Sequence, residues 1–212
     1  MTPTFDAVIF DLDGTLLDTE RCTGDAGIRA FAAFGIDLEP DFLHRLIGKD
    51  DVTGSAILHD HFPRLDLPAL RHRWDREIDI AYENGIPLKP GARELLDRLD
   101  RPKALATSST RGQARRKLDL TGLAADFSHV VTFDDVASPK PAPDAFLLAA
   151  RYLGCAPAAC IAFEDSEPGA ESAFRAGMTV VQVPDILPAS GQFAHLVADN
   201  LIDGARRIGL LA

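Results

Sequence analysis

The chain has 212 residues, 46% of them hydrophobic, and a formal net charge of −10 at pH 7. These values are typical of one globular domain, or of a core with a smaller insert. The negative charge argues against nucleic acid or an anionic membrane as a partner, and an anionic substrate would need local cations to offset it. We expect a soluble cytoplasmic protein, because the N-terminus lacks the features of a signal peptide, no apolar run approaches the roughly 18 residues of a membrane helix, and the three cysteines form no CxxC pair. A monomer is the default expectation.

Short apolar runs bounded by polar or turn residues recur along the chain, as is typical of strands covered on both faces. The predicted strands are 7–10, 104–106, 130–133, 161–163 and 179–183. The predicted helices that alternate with them are 91–99, 111–119, 143–153 and 168–176. This alternation predicts an α/β fold with a Rossmann-like parallel sheet and helices on both faces.

Residues 20–84 interrupt that rhythm, since they contain no convincing strand. They are predicted to form about four helices, at 21–34, 40–47, 51–61 and 67–83. The glycines and prolines of 85–91 are typical of a linker back to the sheet. We therefore expect a core domain made of residues 1–17 and 87–212, with an inserted all-helical cap domain at 18–86.

Two carboxylates follow the first predicted strand, in the run Asp11-Leu12-Asp13-Gly14-Thr15. Carboxylates near a buried strand end are costly unless they are paired or bind a metal ion. The run therefore predicts a cation at this strand end.

Polar residues follow three more predicted strands. They are the hydroxyl run 107–109 (Thr-Ser-Ser), Lys140 between prolines, and the acidic pair Glu164-Asp165. In a doubly wound sheet the carboxyl ends of the strands converge on one crevice. Carboxylates beside a hydroxyl and a lysine predict a site for a hard cation such as Mg²⁺, next to a site for an anion.

These motifs, in this order over residues 11–165, resemble those of the haloacid dehalogenase superfamily of phosphotransferases. The resemblance covers essentially the whole chain, and the helical insert is similar to that family's small helical cap. It implies a Mg²⁺-dependent phosphatase acting on a small phosphorylated metabolite. Asp11 would be the nucleophile that forms an aspartyl-phosphate, and Asp13 would be the general acid and then the general base.

The resemblance also implies how the phosphate and the metal would be held. Thr107 and the backbone N–H of Ser108 would bind the phosphoryl oxygens, and Lys140 would neutralise charge on the phosphate and on the nucleophile. Mg²⁺ would be held by Asp11, by the backbone carbonyl of Asp13 and by Asp165, with Glu164 either a direct ligand or one step removed.

Within the superfamily, the run Asp18-Thr19-Glu20 and the size of the cap resemble the β-phosphoglucomutase-like branch, which contains a mutase and phosphatases that act on sugar phosphates. The mutase has a histidine five residues after the aspartate that matches Asp18, where this chain has Thr23. It also has an arginine three residues after a cap-loop glycine. If Gly48 is that glycine, this chain has Asp51 there. Both departures favour a phosphatase over a phosphomutase.

Other members of the superfamily supply further alternatives. Dehalogenases proper lack the second aspartate and need no Mg²⁺, which argues against that chemistry here. A phosphonatase would need a cap lysine, for which Lys49 is the candidate, and a non-catalytic phosphate-binding protein would not need Asp13 as an acid. Lys49 and Arg111 are the candidate substrate contacts.

Overall fold

The computed structural model describes residues 5–39, 42–43, 45–46 and 51–211, with the backbone alone at 51 and 52. The chain divides into two compact units. The sheet unit contains the described residues up to Asp18 and from Pro87 onwards, and the helical unit is Thr19–Ile86. The sequence predicts breaks after residues 17 and 86.

The sheet unit contains one six-stranded parallel sheet, so the predicted fold class is confirmed. Its strand order is β3-β2-β1-β4-β5-β6, with β1 at an inner position. The strands are β1 (Ala7–Phe10), β2 (Lys103–Ala106), β3 (His129–Val131), β4 (Cys160–Glu164), β5 (Thr179–Gln182) and β6 (Leu196–Val197).

The described ranges contain eight α-helices, numbered in chain order. They are α1 (Thr19–Ala32), α2 (Asp51–His61), α3 (Leu67–Glu83), α4 (Ala92–Arg98), α5 (Arg111–Thr121), α6 (Asp144–Leu153), α7 (Glu167–Arg175) and α8 (Leu201–Arg207). Each is too short or too polar to cross a membrane, as far as the described residues extend. The predicted helices are present with ends that differ by at most two residues, except 40–47, half of which falls outside the described residues.

Both faces of the sheet are covered by helices. Alternate residues of β1 point to opposite faces. Ile9 packs with residues of α6 and α7, including the fully buried Phe146, in one apolar cluster. On the other face, the Phe10 ring stacks on the Phe163 ring with 5.2 Å between centroids. This double coverage explains why the strands are short, continuous apolar runs.

Among the described residues, one strand and one α-helix were not predicted by the sequence analysis, β6 and α8. The helix α8 begins at the N-cap Asn200, whose side chain accepts a hydrogen bond from the backbone N–H of Asp203. It also contains Gly204, which weakens a helical pattern. A Cβ at Gly204 would lie 2.6 Å from Cγ1 of Val181, so the close approach of α8 to the sheet requires a glycine.

The helical unit has a core of its own, in which α1 packs against α3. The edge of the Trp74 ring meets Phe31 with 6.0 Å between centroids. The indole N–H of Trp74 donates to the backbone carbonyl of Thr23 at 2.9 Å. Trp74, in α3, therefore packs against α1 within the insert.

Candidate functional site

The predicted site residues of the sheet unit lie at the carboxyl edge of the sheet. Asp11 and Asp13 follow β1, Thr107 follows β2, Glu164 is the last residue of β4, and Asp165 comes next. Because the strands are parallel, these ends meet at one edge. The topology thus brings together groups that are up to 154 positions apart in the chain, Asp11 and Asp165.

Lys140, in the loop between β3 and α6, joins two of these carboxylates. Its Nζ lies 2.7 Å from Oδ1 of Asp11 and 2.6 Å from Oε1 of Glu164. The three side chains are only 6%, 8% and 1% exposed, respectively. Such short contacts are charge-assisted hydrogen bonds, which are strong where solvent is excluded.

Burial and crowding of negative charge shift the pKa values of this cluster. Burial is the largest influence on Asp11 and raises the pKa of its carboxyl from 3.8 to about 7, although Lys140 opposes the shift. Burial acts to lower the pKa of Lys140, but the Asp11 and Glu164 carboxylates outweigh it, so that pKa is raised. Burial, followed by the charges of Glu164 and Asp11, raises the pKa of Asp165 well above 3.8. A further cation would therefore favour the ionised form of both aspartates.

Three carboxylates lie close enough to share such a cation. One oxygen from each of Asp11, Glu164 and Asp165 lies within 4.8 Å of the others. Oδ1 of Asp165 also accepts a hydrogen bond from the Thr15 hydroxyl at 3.1 Å. Gly14, at a φ of 82°, allows the chain to pass so close that a Cβ there would lie 2.5 Å from Oδ2 of Asp165. An all-oxygen donor set of carboxylates fits a hard cation such as Mg²⁺ better than the softer metals that prefer thiolate or imidazole ligands.

Glu164 has both carboxylate oxygens engaged by protein donors. While Oε1 accepts from Lys140, Oε2 accepts from the backbone N–H groups of Asp165 and Ser166 and from the Ser166 hydroxyl, at 2.9–3.0 Å. Gly169, in the first turn of α7, leaves room for this carboxylate, because a Cβ there would overlap it. Glu164 therefore links Lys140 to the start of α7.

Asp13 contacts a lysine that the sequence analysis missed. Oδ1 of Asp13 lies 2.6 Å from Nζ of Lys117, in α5, and Oδ2 accepts a hydrogen bond from the Ser109 hydroxyl at 2.7 Å. The signal that could have revealed Lys117 is its place on a buried stripe with Ala114 and Leu118, where a lysine is rarely found unless it is paired.

Thr107 and Ser108, the first two residues of the hydroxyl run, differ in solvent exposure. Thr107 is buried; its N–H donates to the carbonyl of Val131, and its Oγ1 accepts from the N–H of Ser109 at 3.0 Å. Ser108 is exposed. Their proposed contacts with a phosphoryl group remain predictions.

Of the two candidate substrate contacts, the structure describes Arg111 but not Lys49. Arg111, at the start of α5, is 68% exposed, and its guanidinium pairs with Oδ1 of Asp135 at 2.6 Å. Its backbone N–H donates to Asp134 at 2.8 Å. A substrate that binds Arg111 would thus share it with Asp135. Lys49 lies outside the described residues.

The chain is similar to known proteins over most of its length. A family model described as haloacid dehalogenase-like hydrolase matches residues 5–177. The chain is 36% identical over 192 residues to Protein CbbY of Rhodobacter capsulatus, covering 84% of this chain and 85% of that protein. It is 34% identical over 180 residues to fructose-1-phosphate phosphatase YqaB of Escherichia coli (strain K12), covering 83% and 95%. The structure of a Thermotoga maritima protein assigned as a beta-phosphoglucomutase matches with a TM-score of 0.76 at 30% identity, over 87% of this chain and 88% of that chain.

Proposed function

Because this chain belongs to the haloacid dehalogenase-like hydrolase family, we propose that it is a Mg²⁺-dependent phosphatase that hydrolyses a small phosphomonoester through an aspartyl-phosphate. The observation that carries the proposal is the buried Asp11, held by Lys140 beside the carboxylates of Glu164 and Asp165. A nucleophilic carboxylate needs such positive charge nearby, because its target is itself an anion.

In the first step, an oxygen of Asp11 attacks the phosphorus atom, and the bond from phosphorus to the leaving oxygen breaks. Asp13, in its protonated form, donates its proton to that oxygen. Repulsion between the carboxylate and the phosphate is roughly 4 kcal/mol at about 4 Å and an effective dielectric constant of 20. Lys140 offsets part of this repulsion, and Thr107 and the N–H of Ser108 are proposed to orient the phosphoryl oxygens.

In the second step, Asp13 is ionised and accepts a proton from a water molecule. The water oxygen bonds to phosphorus as the bond from phosphorus to Asp11 breaks, which releases inorganic phosphate and restores the Asp11 carboxylate. The same two aspartates therefore serve both steps. Asp13 donates a proton in the first step and accepts one in the second.

The residues proposed to hold Mg²⁺ are Asp11, Asp165 and the backbone carbonyl of Asp13, with Glu164 beside them. When bound, the ion supplies positive charge for the phosphate and for the carboxylates. The two oxygens of Glu164 already accept hydrogen bonds from protein groups, so we assign it mainly to holding Lys140 and the start of α7.

The substrate proposed is a sugar phosphate or a related metabolite. This class is supported by the similarity to fructose-1-phosphate phosphatase YqaB. Hydrolysis is favoured over phosphoryl transfer between sugar positions because Thr23 stands where the mutase would have a histidine. If Gly48 is the cap-loop glycine, Asp51 also stands where the mutase would have an arginine. The similarity to the Thermotoga maritima beta-phosphoglucomutase structure keeps a phosphomutase as the second candidate.

A substrate panel tests this proposal. Sugar phosphates, phosphoglycolate, nucleotides and p-nitrophenyl phosphate are incubated with the protein, with and without Mg²⁺, and inorganic phosphate is measured. We expect Mg²⁺-dependent release from at least one of them. Release from none would contradict the proposal, whereas isomerised sugar phosphate without net phosphate release would support the mutase.

A further inference from the structure

Lys117 occupies a position in α5 where a charged side chain is unusual. It is only 8% exposed and lies on the buried stripe of that helix. Lysine is almost never so buried unless its ammonium group is paired. The pairing partner is therefore informative about why a lysine is there.

That partner is the carboxylate proposed to move protons. Nζ of Lys117 lies 2.6 Å from Oδ1 of Asp13 and 2.9 Å from the Ser109 hydroxyl. Lysine can only donate, so the serine oxygen accepts from Lys117 and its hydroxyl proton points to Oδ2 of Asp13, 2.7 Å away. Each oxygen of the Asp13 carboxylate thus contacts a donor that the fold holds in place.

Ser109 is itself fixed by backbone contacts. Its N–H donates to Oγ1 of Thr107 at 3.0 Å, and its carbonyl accepts from the N–H of Phe133 at 3.0 Å. Lys117 is fixed by its place in α5. Asp13 is therefore oriented by Lys117, on a helix that holds a side chain more precisely than a loop does, and by Ser109, which lies in the loop between β2 and α5 but is tied to Thr107 and Phe133.

We propose that Lys117 is a positioning residue that holds the Asp13 carboxyl group in the orientation in which its protonated form delivers a proton to the leaving oxygen. The inference rests on the proposed function, since it assigns Lys117 through the acid role of Asp13. In the first step, the bond from Asp11 to phosphorus forms, the bond from phosphorus to the leaving oxygen breaks, and that oxygen receives the Asp13 proton. Misplacement of a reacting group by about 1 Å can cost on the order of 10²-fold in rate.

A purely structural role for Lys117 makes a different prediction from a positioning role. Loss of packing under α5 would lower activity equally for all substrates. Loss of acid positioning would harm substrates whose leaving oxygen needs a proton, and would spare p-nitrophenyl phosphate, whose leaving group departs as a stable anion. The value of kcat/KM reports the first step and so separates these cases.

The experiment measures kcat/KM for p-nitrophenyl phosphate, benzyl phosphate and fructose 1-phosphate with wild type, Lys117→Met, Lys117→Gln and Asp13→Asn. Arg115→Gln is the matched control, since Arg115 lies in the same helix but is 84% exposed. For both Lys117 variants, we expect kcat/KM for the two alkyl phosphates to fall about tenfold or more beyond the fall for p-nitrophenyl phosphate. Asp13→Asn should likewise lower the ratio of kcat/KM for the alkyl phosphates to kcat/KM for p-nitrophenyl phosphate. Arg115→Gln should leave that ratio unchanged.

An equal fall for all three substrates, or no fall, in a Lys117 variant that melts cooperatively would overturn the inference. Lys117→Gln keeps a polar group at the position, so it gives the answer if Lys117→Met does not fold. If Asp13→Asn shifts the ratio and the Lys117 variants do not, the inference fails and the proposed function stands. Any alkyl phosphate of the substrate panel that wild type hydrolyses can replace fructose 1-phosphate. If wild type releases phosphate from no member of that panel, the proposed function fails and the inference fails with it.

Discussion

Asp11 is the residue around which the charges of the sheet edge are arranged. The sequence predicts it together with Lys140, Glu164 and Asp165, because each follows a recognisable strand or lies in a short motif. The pairing of Lys140 with both Asp11 and Glu164 could not be read from the sequence, since it depends on where a loop folds back. Lys117 was missed for the same reason: its partner is 104 positions away in the chain.

Replacing Lys140 tests its role in offsetting negative charge. Lys140→Met leaves Asp11 and Glu164 buried without their shared cation, so kcat/KM for p-nitrophenyl phosphate should fall by about 10²–10³-fold, as for loss of one electrostatic donor at a reacting group. Lys103→Met is the control, because Lys103 begins β2 at the opposite edge of the sheet. A similar loss in both variants would contradict the assignment.

Gly169 is a second residue whose substitution has a defined effect. A Cβ in Gly169→Ala would overlap the Glu164 carboxylate, so Glu164 must move and Lys140 with it. We expect activity to fall by about tenfold or more, as for a displaced positioning group. Gly54→Ala, at a helix position where a Cβ meets nothing within 4 Å, should retain wild-type kcat/KM. Wild-type activity in Gly169→Ala would show that the Glu164 position is unimportant.

At the scale of elements, the long periodic segments were predictable and the elements that depend on packing were not. Apolar runs and helical spacing predict β1 and α3 with their observed bounds. The two-residue β6 is too short to carry a pattern, and α8 contains Gly204, whose role is visible only once Val181 is beside it. The local sequence indicates helix or strand propensity, whereas a close approach between two elements depends on the tertiary structure.

The packing of α1 against α3 gives an element-scale prediction with a matched control in the same helix. A Cβ at Gly27 would lie 2.5 Å from Cζ2 of Trp74, whereas a Cβ at Gly24 meets nothing within 4 Å. Gly27→Ala should lower the free energy of unfolding by about 1–3 kcal/mol through overpacking. Gly24→Ala should raise it by up to about 1 kcal/mol, because alanine favours helix. Urea denaturation of both variants measures this, and equal stabilities would contradict the packing.

At the scale of the whole molecule, an acidic chain concentrates its buried positive charge where the phosphate is proposed to bind. The formal net charge is −10, which alone would repel an anionic substrate. Lys140 supplies local positive charge at the edge of the sheet, and a divalent cation held by the acidic cluster would add to it. Composition predicts that local cations are needed, and the fold determines which residues supply or bind them.

The raised carboxyl pKa values would make the proposed binding of Mg²⁺ depend on pH. The pKa of Asp11 is raised by burial from 3.8 to about 7, so in the metal-free protein this group keeps its proton to higher pH than in the unfolded chain. Metal-free stability should therefore fall as pH rises from near 4 towards 7, and bound Mg²⁺ should offset that loss. Affinity for Mg²⁺ should rise by about tenfold per pH unit up to about pH 7 for each proton displaced.

Isothermal titration calorimetry with Mg²⁺ from about pH 6 to about pH 8 measures this dependence. The Asp11→Asn variant is the control, and its weaker binding should change less with pH. An affinity for Mg²⁺ in wild type that is constant over this range would argue against Asp11 as a ligand.

The central claim is that Asp11 carries the phosphoryl group between the two steps. The most direct measurement is mass analysis of acid-quenched Asp13→Asn after mixing with p-nitrophenyl phosphate and Mg²⁺, because this variant lacks the base for the second step while the substrate needs no acid for the first. We predict one added phosphoryl group, located on the peptide that contains Asp11 and missing when Asp11→Asn is added to the variant. A phosphoryl group on any other residue, or phosphate release near the wild-type rate from Asp11→Asn, would contradict the account.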